Sequence, residues 1–273
     1  MLEILGDIAR SINILVISDF HTGSLSGLLP PNAKTFDGEI FTPRQQNNVQ
    51  RWLWRNYLND LSVVGKVDVA INLADNVEGQ QLKEFGRTLQ DADVGSQIEW
   101  AVECNQKCID ICKPQFFLGV GGTSYHVEGT MGTDADMMVY KHLEANNSNI
   151  EFHYADILTA KIGKMIWSLA HPYPSTQQTT PPIEKMIQQH ATEYYLGNTP
   201  RFDVFARGHG HAFVWVNYRG GIYGFVAPCQ QPLSKYGRQR PYLIIRKPDV
   251  GILKITQIDK SLVPMPLLHK WRR

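Results

Sequence analysis

Residues 11–21 read Ser-Ile-Asn-Ile-Leu-Val-Ile-Ser-Asp-Phe-His. The apolar run is too short for an ordinary helix and rich in β-branched residues, so it predicts a strand from Ile12 to Ser18. It stops on Asp19-Phe20-His21, a carboxylate and an imidazole two residues apart. In an extended or sharply turning segment, residues i and i+2 point the same way, so Asp19 and His21 can reach one ion together. Chemistry delivered at the carboxyl end of a strand is characteristic of open α/β sheets.

The same arrangement recurs outward along the chain. A strand from Val67 to Leu73 leads to Asp75, and one from Gln115 to Val120 leads to Gly121-Gly122-Thr123-Ser124-Tyr125-His126. Met165 to Ala170 leads to His171, and Phe202 to Ala206 leads to Gly208-His209-Gly210-His211. Five of the nine histidines stand at these ends; His142, His153, His190 and His269 do not. His209 and His211 repeat the i, i+2 logic, and the neighbouring glycines let the backbone crowd the site. Asp75 has two oxygens and can bridge two ions. Carboxylate with imidazole suits Mn, Fe, Zn or Ni better than Ca. Two such ions form a clamp for displacement at phosphorus and acidify a bound water.

Between these strands the pattern predicts helices. One is capped by Thr42, with Pro43 in the first turn and Gln45 completing a capping box, and runs to Ser62. Others cover Gly95 to Cys112, Asp134 to Ala145 and Pro182 to Leu196. Further strands are predicted at Glu151–Tyr154, Ile157–Ile162, Phe213–Tyr218, Ile222–Val226, Tyr242–Arg246 and Ile252–Ile258. Alternation in the first half argues for parallel units, and hairpins in the second for antiparallel or mixed pairing. A mixed two-sheet core with helices outside accommodates both, as one domain over residues 1–273.

Composition narrows the class. With 27 Lys+Arg against 26 Asp+Glu, the net charge of +1 excludes a body that wraps nucleic acid by bulk charge. No apolar stretch is long enough for a membrane span, and the start lacks a basic region and cleavage site, so a cytoplasmic protein is expected. Cys104, Cys108 and Cys112 fall on one helical face. With no second close pair to complete a zinc site, they read as a buried stripe, and their geometry disfavours disulfides.

The set Asp19-x-His21, Asp75, Gly122-Thr123…His126, His171 and Gly208-His209-x-His211 resembles the calcineurin-like metallophosphoesterases. The resemblance spans Asp19 to His211. It implies a four-layer α/β/β/α sandwich of two mixed sheets flanked by helices, around a dinuclear centre. It implies one ion on Asp19, His21, His211 and bridging Asp75, and a second on Asp75, His171, His209 and the residue matching the family's Asn. It implies phosphodiester hydrolysis by a metal-bound hydroxide, with His126 protonating the leaving oxygen. Ala74 stands where the family usually has Gly, and Pro172 follows His171. Thr123 replaces the Asn, two residues further from the His than usual, as in phage-type members; it becomes a substrate or weak second-metal contact.

The run Asp75-Asn76-Val77-Glu78-Gly79 lacks the Arg that marks the protein phosphatases of the family. The substrate expected is a phosphoester, with nucleic acid or nucleotides in view. Lys235-Tyr236-Gly237-Arg238-Gln239-Arg240 reads as a solvated loop, with phosphodiester contact the alternative. Phe20 is expected to pack beneath the metal loops, Tyr125 could stack on a base, and the tail from Lys270 reads as frayed. The alternative function is a catalytically weak binding or scaffold protein that keeps the fold with one metal or none.

Overall fold

The computed structural model describes residues 1–6, 11–35, 38, 46–81, 86–127, 134–172, 182–219, 221–232 and 248–271. Two six-stranded sheets form the centre. The first has the order β1 (Leu2–Ile4), β6 (Ile157–Ile162), β7 (Met165–Ala170), β8 (Val204–Arg207), β10 (Ile222–Val226) and β9 (Val214–Tyr218). The second runs β12 (Ser261–His269), β11 (Val250–Ile258), β2 (Ile12–Ile17), β3 (Val69–Asn72), β4 (Phe116–Val120) and β5 (Glu151–Ala155).

Both sheets are mixed. Strands β2, β3, β4 and β5 are parallel neighbours, with Ile14 opposite Val69 and Val69 opposite Phe116. In the other sheet β7, β8 and β10 are parallel. The parallel pair β1–β6 and the antiparallel pairs β11–β12, β11–β2, β6–β7 and β9–β10 complete the ladders.

Side-chain alternation builds the layers. On β2, Ile12, Ile14 and Val16 face inward to a core shared with Trp167, Leu169, Val204 and Phe225 of the other sheet. Leu15 and Ile17 face outward, beneath helices α1 (Asn48–Val64), α2 (Val94–Cys112) and α4 (Ala135–Asn146), while the single turn α3 (Ser124–Val127) follows β4. Helix α5 (Pro182–Tyr195) covers the far face of the first sheet, where Ile183 and Ile187 pack on Phe205. The result is the α/β fold expected, in four layers.

Three differences have physical causes. Helix α1 is capped by Asn47, whose side chain accepts from Val49 N and Gln50 N while Gln50 returns the bond. This capping box lies five residues beyond the one read at Thr42, Pro43 and Gln45, which fall outside the described residues. Strand β11 pairs with β12, a strand not expected from the sequence because Pro264 and Pro266 interrupt it. At a sheet edge, proline's missing N–H breaks no ladder. As far as Trp271 the tail is anchored rather than frayed: His269 meets Asp60 at 2.8 Å and Trp271 packs edge-on to Trp52. The strand read at Tyr242–Arg246 and the basic loop at Lys235–Arg240 lie outside the described residues.

Cys104, Cys108 and Cys112 are buried against Tyr57, Leu61 and Ile109, and all four cysteines are free thiols. No described helix is long and apolar enough to cross a membrane.

Candidate metal centre

The parallel strands bring their carboxyl ends to one edge. There β2 hands over to Asp19 and His21, β3 to Asp75, β4 to Thr123 and His126, β7 to His171, and β8 to His209 and His211. Eleven described residues other than glycine have positive φ, and six are Asp19, His21, Ala74, Asp75, His209 and His211. The left-handed conformation costs about 1–2 kcal/mol per residue. Its concentration in the three turns that carry these aspartates and histidines marks strain held at a site by surrounding contacts.

Those contacts are specific. Asp19 N donates to Ala74 O (2.9 Å), His21 N to Asp75 O (3.0 Å) and Thr22 N to Asn76 O (2.9 Å), so two of the turns lock together. A Cβ at Gly208 would lie 2.6 Å from Ser18 Oγ and 2.7 Å from His171 Nδ1, so only glycine lets β8 pass this close. Phe20 is fully buried and packs edge-on to Tyr57, as expected of it.

The ligand atoms form two groups. Asp19 Oδ1, His211 Nε2 and His21 Nε2 make a triangle: 3.1 Å from His211 to Asp19, 3.1 Å between the imidazoles, 3.7 Å from His21 to Asp19. Ligands bonded at about 2.0–2.2 Å around a tetrahedral ion sit roughly 3–4 Å apart. The second group is Asp75, His171 and His209. His171 Nε2 lies 2.9 Å from Asp75 Oδ2 and 4.0 Å from Asp19 Oδ1, so the groups adjoin through it.

Hydrogen bonding aims these atoms inward. Asp19 Oδ2 accepts from Ser18 Oγ and His209 N, leaving Oδ1 buried with no hydrogen-bond partner. His171 donates from Nδ1 to Leu73 O, which turns its buried Nε2 towards Asp75 Oδ2 and Asp19 Oδ1. A buried acceptor without a hydrogen bond is costly, so Asp19 Oδ1, with imidazole nitrogens gathered on the same point, fits a cation.

Charge follows. Burial works against ionisation of Asp19, yet the imidazoles of His211 and His21 hold its carboxyl well below the usual range. Burial likewise opposes ionisation of Asp75, and His171 and His126 lower it. Against their own burial, Glu78 and Asp19 raise His21 to about 10, and Asp75 raises His171 to about 9. His209 is lowered by burial and by His171.

Thr123 addresses Asp75 directly: its N–H donates to Oδ1 at 2.8 Å, and its hydroxyl lies 3.2 Å from both carboxylate oxygens. His126 donates from Nδ1 to Glu78 O (2.8 Å), which turns Nε2 to within 4.0 Å of Asp75 Oδ2. Tyr125 lies edge-on to His126 and is partly exposed. All of the site residues read from the sequence thus meet at one edge.

Two acidic residues were missed. Glu78 is buried with Oε2 2.9 Å from His21 Nδ1, and it accepts from Gln231 Nε2 at 3.1 Å. With His21 and His126 it makes a third metal-capable group, but His21 is shared with the first. Asp136, raised to about 7 by burial and the charge of Asp75, bonds the backbone of Asp75 and Asn76. The only sequence signal for Glu78 is its place three residues after Asp75. Asp136 looks like any acidic residue in the first turn of a helix.

No protein-family model matches the chain, and neither does any curated protein. Several solved structures resemble it loosely. A novel archaeal phosphodiesterase is 10% identical, with 94% of this chain and 100% of that one covered at a TM-score of 0.45. Zinc-complexed wild-type Vps29 from Entamoeba histolytica is 13% identical, with 94% and 99% covered at 0.42. A conserved protein of Streptococcus pneumoniae, named a predicted phosphoesterase, is 11% identical, with 96% and 91% covered at 0.38.

Proposed function

We propose that the chain is a metal-dependent phosphoesterase that hydrolyses phosphodiesters. The observation that carries this reading is the convergence of Asp19 Oδ1, His21 Nε2 and His211 Nε2 beside Asp75, His171 and His209. Asp19, His21 and His211 would hold one divalent ion and Asp75, His171 and His209 a second, with Asp75 shared. Mn, Fe, Zn and Ni all suit this donor set. When bound, such ions neutralise phosphate oxygens and acidify water.

The chain's own groups supply the rest. Thr123 holds Asp75 in place through two donors. His126, its Nδ1 proton committed to Glu78 O, has only Nε2 to offer the reaction. Protonated there, it gives that proton to the leaving oxygen as the P–O bond breaks and water oxygen bonds to phosphorus. Tyr125 offers an exposed ring beside His126 on which a nucleobase or aryl group can stack. This supports nucleotides or nucleic acid as the diester.

The departure at Thr123 favours a second reading, a binding protein on the same frame with one ion or none. The test is hydrolysis of bis-p-nitrophenyl phosphate, p-nitrophenyl phosphate and p-nitrophenyl acetate with added Mn. Diester turnover that requires Mn supports the proposal. Turnover of the acetate alone, or of nothing, overturns it.

A further inference from the structure

Asp136 stands in the first turn of α4 and is completely buried. The helix does not need it as a cap, because Asp134 already accepts from Met137 N at 3.1 Å. Asp136 instead reaches across to the turn after β3. Its Oδ2 accepts from Asp75 N at 3.1 Å. Its Oδ1 accepts from Asn76 N at 3.0 Å and from Asn76 Nδ2 at 2.7 Å. Burying one carboxylate close to another is costly unless hydrogen bonds compensate it. Packing α4 on the sheet would be served as well by an apolar side chain.

The turn it grips is one of the three strained ones. Ala74 and Asp75 have φ of 68° and 49°. Their carbonyls accept from Asp19 and His21. Asn72 Oδ1 takes the N–H of Ala74 at 2.8 Å, and Asp136 takes the next two. Asn72 at the end of β3 and Asn105 on α2 both donate to Asn76 Oδ1, at 2.7 and 3.0 Å, and brace the same turn. Three consecutive backbone donors are thus held by side chains, while the carbonyls of Ala74 and Asp75 hold the Asp19–His21 turn.

We infer that Asp136 is a positioning residue of the metal centre, clamping the backbone of Asp75 so that its carboxylate is presented between His171 and Thr123. This rests on the reading of Asp75 as a metal ligand. Side chains that orient ligands typically contribute 10- to 100-fold in metal affinity.

The experiment is calorimetric titration of the full chain with Mn, comparing wild type, D136N, D136S and D134A, each also melted in EDTA. D134A removes the cap of the same helix and serves as the structural control. The expected result is wild-type binding, a Kd raised about 10- to 100-fold in D136N, and a Kd unchanged in D134A although its melting temperature falls. D136S, which keeps one small acceptor, shifts Kd in the same direction and decides the matter if D136N does not fold. A Kd in D136N within about twofold of wild type overturns the proposal and leaves the metal-site reading standing. Equal losses in D136N and D134A, tracking melting temperature, overturn it as well. Failure of the wild type to bind Mn overturns both together.

Discussion

Asp19 shows how much one residue's surroundings determine here. One of its carboxylate oxygens is saturated by Ser18 and His209, and the other faces three imidazole nitrogens. A solvated aspartate has no reason to be divided in this way; a carboxylate arranged to take a cation, as proposed, does. The same argument makes His126 separable from the ligands, because its Nδ1 proton is held by Glu78 O and its Nε2 faces Asp75. His126→Ala is expected to retain metal and to lower turnover of an alkyl phosphodiester by about 10²–10⁴-fold. A p-nitrophenyl diester, whose leaving group needs no proton, is expected to suffer much less. Equal losses on the two substrates would remove the acid role.

At the scale of elements, the helix caps and the cysteine stripe carry separate stability. Asn47→Ala breaks the capping box of α1 and is expected to cost about 1 kcal/mol in denaturant unfolding, with metal content unchanged. Cys108→Ser places a hydroxyl in the apolar interface of α2 and is expected to cost about 1–3 kcal/mol, again without loss of metal. A fall in metal content on that substitution would mean the stripe is a ligand set after all. The strands that carry the site were legible in the sequence because each is a short apolar run followed within a few residues by a carboxylate or an imidazole. Helix α1 was legible by its apolar spacing, but its start was misplaced, since Thr42 and Asn47 both offer capping chemistry and only the folded chain selects between them. Strand β12 was missed because two prolines count against a strand except at an edge, and edge position is a property of the sheet. Glu78 and Asp136 were missed because a buried acid and a solvated one look alike until the neighbours are known.

For the whole molecule, the edge shared by two sheets joins residues nearly two hundred positions apart, such as Asp19 and His211, and its charge couples to stability. His171 and His21 are raised to about 9 and about 10 by Asp75, Glu78 and Asp19, against the opposing effect of burial. Their unfolded values lie near 6.5. Their contribution is therefore complete below about pH 6.5 and is lost as pH rises through about 9 and 10. In EDTA the melting temperature is expected to fall across that window. A bound cation must displace those protons, so its affinity rises over the same range. The gap in melting temperature between Mn and EDTA is thus expected to widen from pH 6.5 to 9; a constant or shrinking gap would count against metal at these histidines.

The most direct measurement is the metal content of purified wild-type protein and of Asp75→Asn, paired with hydrolysis of bis-p-nitrophenyl phosphate under added Mn. A dinuclear phosphodiesterase should hold close to two ions per chain and turn over in a Mn-stimulated reaction, with both lost on replacing Asp75. One ion or none in the wild type, with no turnover under any divalent metal, would contradict it and leave a binding protein on this fold.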